Sequence, residues 1–201
     1  MTALSAEPYG EHALLIRCGL DQGLAVAEQA GARWPHASDV VPAADTVLVD
    51  GIADPATAAL EVGSWFIESS ALAGEQRLIE LETRYDGPDL EAVADAWSVS
   101  PDDAVRIHTS RLYVVAFCGF APGFAYCTGL PESRAVPRRS TPRSRVEPGS
   151  VALADIYTGV YPTPSPGGWQ VIGRTSAALW DLARDEPALL TPGTRVRFVA
   201  L

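Results

Sequence analysis

Arginine is concentrated in one part of this 201-residue chain, and its guanidinium group is the side chain best suited to holding carboxylates and phosphates. Residues 111–180 contain seven arginines against three acids, a net charge of +4, whereas the whole chain carries −10. Pro137 and Pro142 interrupt the densest stretch, so its backbone is predicted to be extended. The stretch predicts an anion site, although a solvated face whose arginines pair with acids of the first domain or of a partner is the alternative. The candidate anion contacts are Arg138, Arg139, Arg143, Arg145 and Arg174.

Two segments rich in glycine and aromatic residues flank the arginines. GFAPGF occupies residues 119–124 and PGGW occupies residues 166–169. Glycine permits close backbone approach, aromatic rings can wall a pocket, and the amides of a Gly-Gly turn can hold an oxyanion. The alternatives are a tight strand connection whose rings fill the core, and a hairpin turn beside a solvent-facing arginine. The candidate binding residues here are Gly119, Phe120, Pro122, Gly123, Phe124, Gly167, Gly168 and Trp169.

Residues for proton transfer, covalent catalysis and metal binding are sparse. His108 precedes the two segments and is the candidate acid or base, although a lone histidine is more often structural. The three histidines have no HxH or HExxH spacing, so no metal site is predicted. The chain contains no lysine, which excludes Schiff-base chemistry, a lysine-linked carrier and the GxxxxGK[ST] phosphate loop. The sequence therefore offers no complete catalytic set.

Composition and charge limit the classes of partner and location. The acidic net charge argues against nonspecific binding to nucleic acid or to an anionic membrane. No apolar run approaches the roughly 18 residues that span a bilayer, and the N-terminus lacks a basic region followed by an apolar core. A cytoplasmic location is expected. Three cysteines without CxxC spacing indicate free thiols, since a disulfide framework needs paired spacings.

Residues 1–86 alternate strand, helix, strand, helix and strand, which is typical of a small α/β domain. The second helix is predicted to begin at Pro55, after the capping residue Asp54, and to run to about Ala73. The third strand is predicted within residues 77–85 from its branched and aromatic content. The first domain is therefore predicted to end at residue 86.

Residues 87–201 have a different pattern. Two short helices are predicted first, within residues 89–97 and 100–108, the second with a capping signal at its start. Short strands separated by glycine and proline turns follow, interrupted by one short helix at residues 176–184. This pattern favours a β-barrel or β-sandwich as the second domain.

Four segments taken together resemble one protein family. They are SPDDAVRIH, GFAPGFAY, VPRRSTPRSRVEPGSVALA and TGVYPTPSPGGWQVIGRT. The chain is similar over almost its whole length to the family of the 5-oxoprolinase B-subunit, also known as KipI or allophanate hydrolase subunit 1. The resemblance implies an α+β fold, with a small ferredoxin-like α/β N-terminal domain followed by a cyclophilin-like β-barrel. That barrel is related to half of the carboxyltransferase domain of urea carboxylase.

The resemblance also implies a function. It implies that the chain is one subunit of an enzyme that opens 5-oxoproline to L-glutamate at the expense of ATP. This subunit would be inactive alone. Its partners would be an A-subunit and a C-subunit, the latter also called KipA or allophanate hydrolase subunit 2. The arginines would then contact an anionic substrate. The alternatives are a role in a complex for allophanate or urea metabolism, and a KipI-like inhibitor of a sensor histidine kinase with no activity of its own.

The sequence departs from the family pattern in two places. PGFAYCTGL stands where members usually have PGFPYLGGL, and residues 155–159 read Asp-Ile-Tyr-Thr-Gly where they usually read Gly-Gly-Gln-Thr-Gly. The second change introduces a carboxylate and bulky side chains in place of small residues. It leaves the substrate open.

Overall fold

The computed structural model describes residues 4–19, 21–67 and 77–201. The chain divides into two compact units between Glu75 and Gln76. Each unit has its own sheet and buried core, and the architecture is the α+β fold with a nearly closed, barrel-like sheet expected from the sequence. Among the helices of the described ranges, none combines the length and apolar character that a membrane crossing needs.

The first unit is a four-stranded antiparallel sheet with two helices. Its elements are β1 (Ser5–Pro8), β2 (Ala13–Arg17), α1 (Gly23–Arg33), β3 (Asp39–Pro42), β4 (Thr46–Asp50) and α2 (Pro55–Val62). The strand order is β1-β2-β4-β3. Ile16, Val47 and Val49 from the two central strands are fully buried in one core with Val26 of α1 and Val62 of α2. Burial of these apolar side chains stabilises the unit.

The second unit contains a seven-stranded sheet, a two-stranded sheet and two helices. Its elements are β5 (Leu78–Thr83), α3 (Leu90–Ala96), α4 (Pro101–Thr109), β6 (Tyr113–Cys118), β7 (Ala125–Thr128), a 3-10 turn at Glu132–Arg134, β8 (Arg143–Val146), β9 (Ser150–Ala154), β10 (Tyr157–Val160), β11 (Ser165–Gly167), β12 (Gln170–Arg174) and β13 (Arg195–Ala200). The larger sheet has the order β12-β9-β10-β7-β6-β13-β5, and β8 pairs with β11. The two helices confirm those predicted for residues 89–97 and 100–108.

The two edges of the larger sheet are joined by backbone hydrogen bonds, which close the barrel. Arg84, directly after β5, and Arg174, at the end of β12, exchange N–H to C=O bonds of 2.9 and 2.8 Å. Gly87 N–H donates to the carbonyl of Ile172 at 3.2 Å. A Cβ at Gly87 would lie 2.3 Å from the carbonyl carbon of Ile172, so only glycine allows this approach. Where these bonds form, the edge of β12 is paired and no longer exposed.

The third predicted strand belongs to the second unit, which moves the division of the chain earlier than the predicted boundary after residue 86. β5 pairs in parallel with β13 along its whole length, and Leu81 and Phe198 are buried together in the barrel core. In the first unit, β1 is the edge strand that pairs with β2. The sequence pattern does identify the strand β5. Its sheet is determined by pairing with β13, which lies far away in the chain.

The predicted extent of the second helix is wrong. Asp54 caps α2 through a hydrogen bond from the N–H of Thr57, as predicted, but the helix ends at Val62. Gly63 follows, and the hydroxyl of Ser64 donates to the carbonyl of Glu61 at 2.7 Å. Glycine and a serine bonded to the backbone both disfavour continuation of a helix. The rest of the predicted helix, from residue 68 onward, lies outside the described residues.

The predicted helix at residues 176–184 is also wrong. Leu189 N–H donates to the carbonyl of Leu179, and Asp181 N–H donates to the carbonyl of Pro187, both at 2.9 Å. A bridge between Trp180 and Ala188 completes this pairing. Backbone groups that a helix would use are thus bonded to residues 187–189. Leu179 enters the barrel core as part of this arrangement.

Candidate functional site

A cavity of about 530 Å³ lies within the second unit. Six of its fourteen lining residues are aromatic, and two are charged with opposite signs. Cavities of this size with apolar walls and a few polar groups are typical small-molecule sites. The lining residues are Phe120, Phe124, Tyr126, Ala135, Val136, Pro137, Arg138, Ala154, Asp155, Tyr157, Tyr161, Pro166, Gly167 and Trp169.

Three buried rings pack edge to face in the cavity wall. The ring centroid of Phe124 lies 5.2 Å from that of Tyr161 and 5.3 Å from that of Trp169. A Cβ at Gly159 would lie 3.0 Å from the Trp169 ring, and one at Gly167 would lie 2.2 Å from the Tyr161 hydroxyl oxygen. Glycine at these two positions lets the rings approach the backbone. The wall is therefore closely packed, and its shape is set before a ligand arrives.

The GFAPGF turn places an aromatic ring at the cavity. Phe120 is 60% exposed, and its backbone has a positive φ of 69°, which is uncommon for a residue other than glycine. Gly123 also has a positive φ, and a Cβ there would lie 2.9 Å from Cβ of Trp180. Gly119 and Pro122 shape the turn from outside the cavity lining. Of the turn residues predicted to bind, Phe120 and Phe124 line the cavity.

Arg138 is the predicted anion contact that lines the cavity. Its side chain is exposed and forms no ion pair within the described part of the chain. The backbone on both sides is anchored, since Arg139 N–H donates to the Gly168 carbonyl at 2.7 Å and Gln170 Nε2 donates to the Pro137 carbonyl at 3.0 Å. A guanidinium held in this way beside aromatic walls can bind a carboxylate.

The positive charge of Arg138 acts on phenols in the cavity wall. Burial raises the pKa of Tyr161, and the Trp169 N–H and the charge of Arg138 partly offset that increase. Burial also raises the pKa of Tyr126, again opposed by Arg138. Both phenols are neutral at physiological pH. They present hydrogen-bonding groups and no charge.

Arg139 and Arg143 bind a buried carboxylate instead of a ligand. Arg143 donates two hydrogen bonds to Asp89, at 2.8 and 2.9 Å, and Arg139 donates one at 2.6 Å. The N–H of Val171 donates to the same carboxylate at 2.7 Å. Burial alone would raise the pKa of Asp89, but the bonds from Arg143 and Val171 and the two positive charges lower it below its ordinary value. These two arginines stabilise the fold around the cavity.

The other two predicted anion contacts are paired on the surface. Arg145 donates to Glu147 at 2.6 Å, and Arg174 donates to Asp86 at 2.7 Å. Both guanidinium groups are more than half exposed, and neither residue lines the cavity. The structure thus brings one of the five predicted arginines to the cavity. The alternative interpretation was pairing with acids of the first domain or of a partner. The other four arginines do pair with acids, but only Asp86 belongs to the predicted first domain, whereas Asp89 and Glu147 belong to the predicted second.

His108 lies in the barrel core, away from the cavity lining. Its side chain is fully buried, with Nδ1 2.6 Å from the Tyr85 hydroxyl and Nε2 3.3 Å from the Thr158 hydroxyl. Burial lowers the pKa of His108 from 6.5 to about 3, so the imidazole is neutral. A neutral ring can accept one of these hydrogen bonds and donate the other. This position favours a structural role over the acid–base role expected from the sequence.

Several wall residues were not among those predicted to bind. Tyr157, Tyr161 and Asp155 line the cavity, and Asp155 and Tyr157 fall in the segment where the sequence departs from its family pattern. That departure is the sequence signal that could have identified Asp155 and Tyr157. No such signal marks Asp89, because an acid at the start of a predicted helix is ordinarily interpreted as a capping residue. Of the PGGW residues, Gly167 and Trp169 line the cavity, while Gly168 supplies the carbonyl that anchors Arg139.

In residues 4–19, 21–67 and 77–201, no group of three or more His, Cys, Asp or Glu side chains is arranged to hold a metal ion. The three cysteines are free thiols, and burial raises the pKa of Cys127 to about 12 and that of Cys18 to about 11. Both are therefore poor nucleophiles.

Comparison with known proteins gives consistent matches. The family model for the carboxyltransferase domain, subdomain C and D, matches residues 4–190. The B-subunit of 5-oxoprolinase from Escherichia coli O157:H7 is 45% identical over 172 residues, which are 82% of this chain and 78% of that protein.

Solved structures share the fold. The crystal structure of TTHA0988 matches with a TM-score of 0.75 and 33% identity, over 94% of this chain and 40% of that one. The K. lactis urea amidolyase matches with a TM-score of 0.75 over 98% of this chain and 15% of that one, and its 18% identity shows likeness of fold alone. This chain therefore spans 40% and 15% of the lengths of these two structures.

Proposed function

The chain belongs to the family of the carboxyltransferase domain, subdomain C and D, and from this premise we propose that it is the B-subunit of an ATP-dependent 5-oxoprolinase, which opens 5-oxoproline to L-glutamate together with its A- and C-subunits. The observation that carries the proposal is the 45% identity to a protein named as the B-subunit of 5-oxoprolinase, over most of both chains. The proposal places the complex in the cytoplasm, where ATP is supplied.

The cavity suits one part of this task. 5-Oxoproline is a small ring with one carboxylate, and the cavity offers one guanidinium, that of Arg138, with no carboxylate partner among the described residues. Flat apolar ring surfaces fit between aromatic side chains such as Phe124 and Trp169. We assign this chain the role of holding the substrate by its carboxylate and ring. Residues of the companion subunits would complete the reactive site.

ATP does not fit the residues present here. A triphosphate needs several cationic or N–H donors, and Arg138 is the one basic residue in the cavity wall. Arg139 and Arg143 are committed to Asp89. The proposal therefore assigns ATP binding to one of the companion subunits. Because ATP binding is assigned to another subunit, the proposal also predicts that this chain is inactive alone.

The alternative functions have weaker support. A relative that matches 82% of this chain is named as a subunit of 5-oxoprolinase, and the likeness to urea amidolyase is one of fold. No feature of the cavity favours an inhibitor of a histidine kinase over a site for a small molecule. We therefore propose neither allophanate or urea metabolism nor kinase inhibition.

Reconstitution tests the proposal. The chain is co-expressed with the companion subunits from the same organism, and L-glutamate formed from 5-oxoproline is measured with and without ATP. We expect glutamate only when ATP and the whole complex are present. Release no greater than that of a mixture lacking this chain would count against the proposal, as would ammonia release from allophanate or urea by the same complex.

A further inference from the structure

Tyr161 brings a buried hydroxyl group to the wall of the cavity. The residue directly follows β10, is 2% exposed, and packs its ring edge to face against Phe124 with centroids 5.2 Å apart. Gly167 locates the hydroxyl oxygen, because a Cβ built on that glycine would lie 2.2 Å from it. Both Tyr161 and Gly167 line the cavity. The hydroxyl group therefore lies within the cavity lining.

The backbone and the neighbouring rings fix the position of Tyr161. Its N–H donates to the Ser150 carbonyl at 3.0 Å, and its carbonyl accepts from the N–H of Gly149 at 2.7 Å. The rings of Phe120 and Phe124 both lie edge to face with the phenol, at 6.3 and 5.2 Å between centroids. A side chain held in this way is positioned before a ligand arrives.

The hydroxyl group accepts one hydrogen bond and keeps its own hydrogen available. The backbone N–H of Trp169 donates to the phenol oxygen, and no acceptor for the O–H lies among the residues that the structure describes. Burial raises the pKa of Tyr161, so the phenol is protonated at physiological pH and can donate. Buried polar groups in native proteins rarely lack a partner. A ligand in the cavity can supply the missing acceptor.

Arg138 borders the same part of the cavity. A Cβ built on Gly168, the residue after Gly167, would lie 3.8 Å from Arg138 Nε. The charge of Arg138 also opposes the increase in the pKa of Tyr161 that burial causes, which requires the guanidinium to be near the phenol. The two donors thus lie beside consecutive residues of one segment, where a single small ligand can contact both.

We infer that the hydroxyl group of Tyr161 donates a hydrogen bond to the lactam carbonyl oxygen of the substrate whose carboxylate Arg138 binds. 5-Oxoproline has two acceptor groups, and once the guanidinium holds the carboxylate, the lactam oxygen remains for a neutral donor. The inference rests on the proposed function and adds a specificity-determining residue to it. It narrows the ligands to small cyclic carboxylates that also carry a carbonyl group.

Calorimetric binding of three ligands to the assembled complex tests the inference. They are 5-oxoproline, 3-oxocyclopentanecarboxylate, which keeps the carbonyl and lacks the N–H, and cyclopentanecarboxylate, which lacks both. Tyr161→Phe removes the hydroxyl group alone. Tyr113→Phe is the matched control, because that fully buried phenol donates to the His108 carbonyl at 3.2 Å outside the cavity lining. Thermal melts verify that each variant is folded.

We expect Tyr161→Phe to weaken both carbonyl ligands about tenfold or more and to leave cyclopentanecarboxylate within about twofold of wild type, because only the carbonyl ligands lose a hydrogen bond. Tyr113→Phe should leave all three within about twofold. The wild-type complex gives a second measurement that needs no variant. It should bind 3-oxocyclopentanecarboxylate about tenfold more tightly than cyclopentanecarboxylate.

Equal losses for all three ligands in Tyr161→Phe would show a structural role for the hydroxyl group and overturn the inference. Unchanged binding of the carbonyl ligands in that variant, or no preference for them in the wild-type complex, would overturn it as well. If the expected pattern appears but no ATP-dependent glutamate forms, the proposed function fails and the assignment of Tyr161 stands. If glutamate forms without the pattern, the inference alone fails.

Discussion

The carboxylate of Asp89 accepts two hydrogen bonds from the guanidinium of Arg143, at 2.8 and 2.9 Å, although the two residues lie 54 positions apart. Arg139 and the N–H of Val171 donate to the same carboxylate. The pair ties the segment that closes the barrel to the arginine-rich segment beside the cavity. The charge cluster that suggested a ligand site in the sequence is thus largely a structural one.

Removal of Asp89 should destabilise the second unit strongly. The Asp89 side chain is 4% exposed, and Asp89→Ala would leave Arg143, at 24% exposure, without its partner. Loss of one member of such a pair costs about 3–5 kcal/mol in unfolding free energy. Urea titration measures this cost. Glu147→Gln, which breaks the exposed pair with Arg145, is the control and should leave the midpoint nearly unchanged.

The unfolding free energy should fall as the pH drops below about 6.5, and His108 should account for part of that fall. The buried imidazole has a pKa lowered to about 3, so between pH 6.5 and 3 the unfolded chain binds a proton that the native state does not. Its contribution is complete above pH 6.5 and decreases by about 2 kcal/mol at pH 5. Urea midpoints from pH 7.5 to 4.5 should be flatter for His108→Gln. An unchanged slope in that variant, or a change in the exposed-residue control His36→Gln, would contradict the assignment.

Local patterns in the sequence predict most of the strands and helices of the barrel. The cap at Ser100 and the apolar run of β6 are predicted correctly, because neighbouring residues determine them. The failures have different causes. β5 joins a sheet through a partner more than a hundred residues away. Residues 179–181 pair with residues 187–189, close by in the chain, and α2 ends early at Gly63 and Ser64, so backbone pairing or a local hydrogen bond overrides helix preference in these two cases.

The site was predictable in its aromatic part and less so in its charges. Phe120, Phe124 and Trp169 line the cavity as expected, since glycine beside an aromatic residue reports a local backbone requirement. An arginine's role depends on which acids the fold brings to it, and Arg143 binds Asp89, which lies 54 positions away in the chain. Sequence spacing does not show which acid an arginine will contact in the folded chain.

Barrel closure should be sensitive to the residue at position 87. A Cβ at Gly87 would lie 2.3–2.4 Å from backbone atoms of Ile172 and Val171, so Gly87→Ala must push β12 away. Forcing extra volume into such a contact costs about 1–3 kcal/mol. Thermal melts would show this loss. Gly31→Ala, in α1 with nothing within 4 Å of the added methyl, should instead raise the unfolding free energy by about 0.5–1 kcal/mol.

Two aromatic residues of the cavity should behave differently when truncated. Trp169 is 6% exposed and packs against Phe124 and Tyr126, so Trp169→Ala should cost about 3–5 kcal/mol of unfolding free energy. Phe120 is 60% exposed, so Phe120→Ala should cost about 0.5 kcal/mol or less while weakening ligand binding. Parallel urea titrations separate the two. Similar stability losses would show that the Phe120 ring supports the fold.

The claim on which the account depends is that the guanidinium of Arg138 holds the ligand's carboxylate. Its most direct test is calorimetric binding of 5-oxoproline to the assembled complex, with Arg138→Gln compared with Arg145→Gln, whose arginine is paired with Glu147 outside the cavity lining. We predict at least about tenfold weaker binding for Arg138→Gln and a change within about twofold for Arg145→Gln. Wild-type affinity in Arg138→Gln would contradict the account.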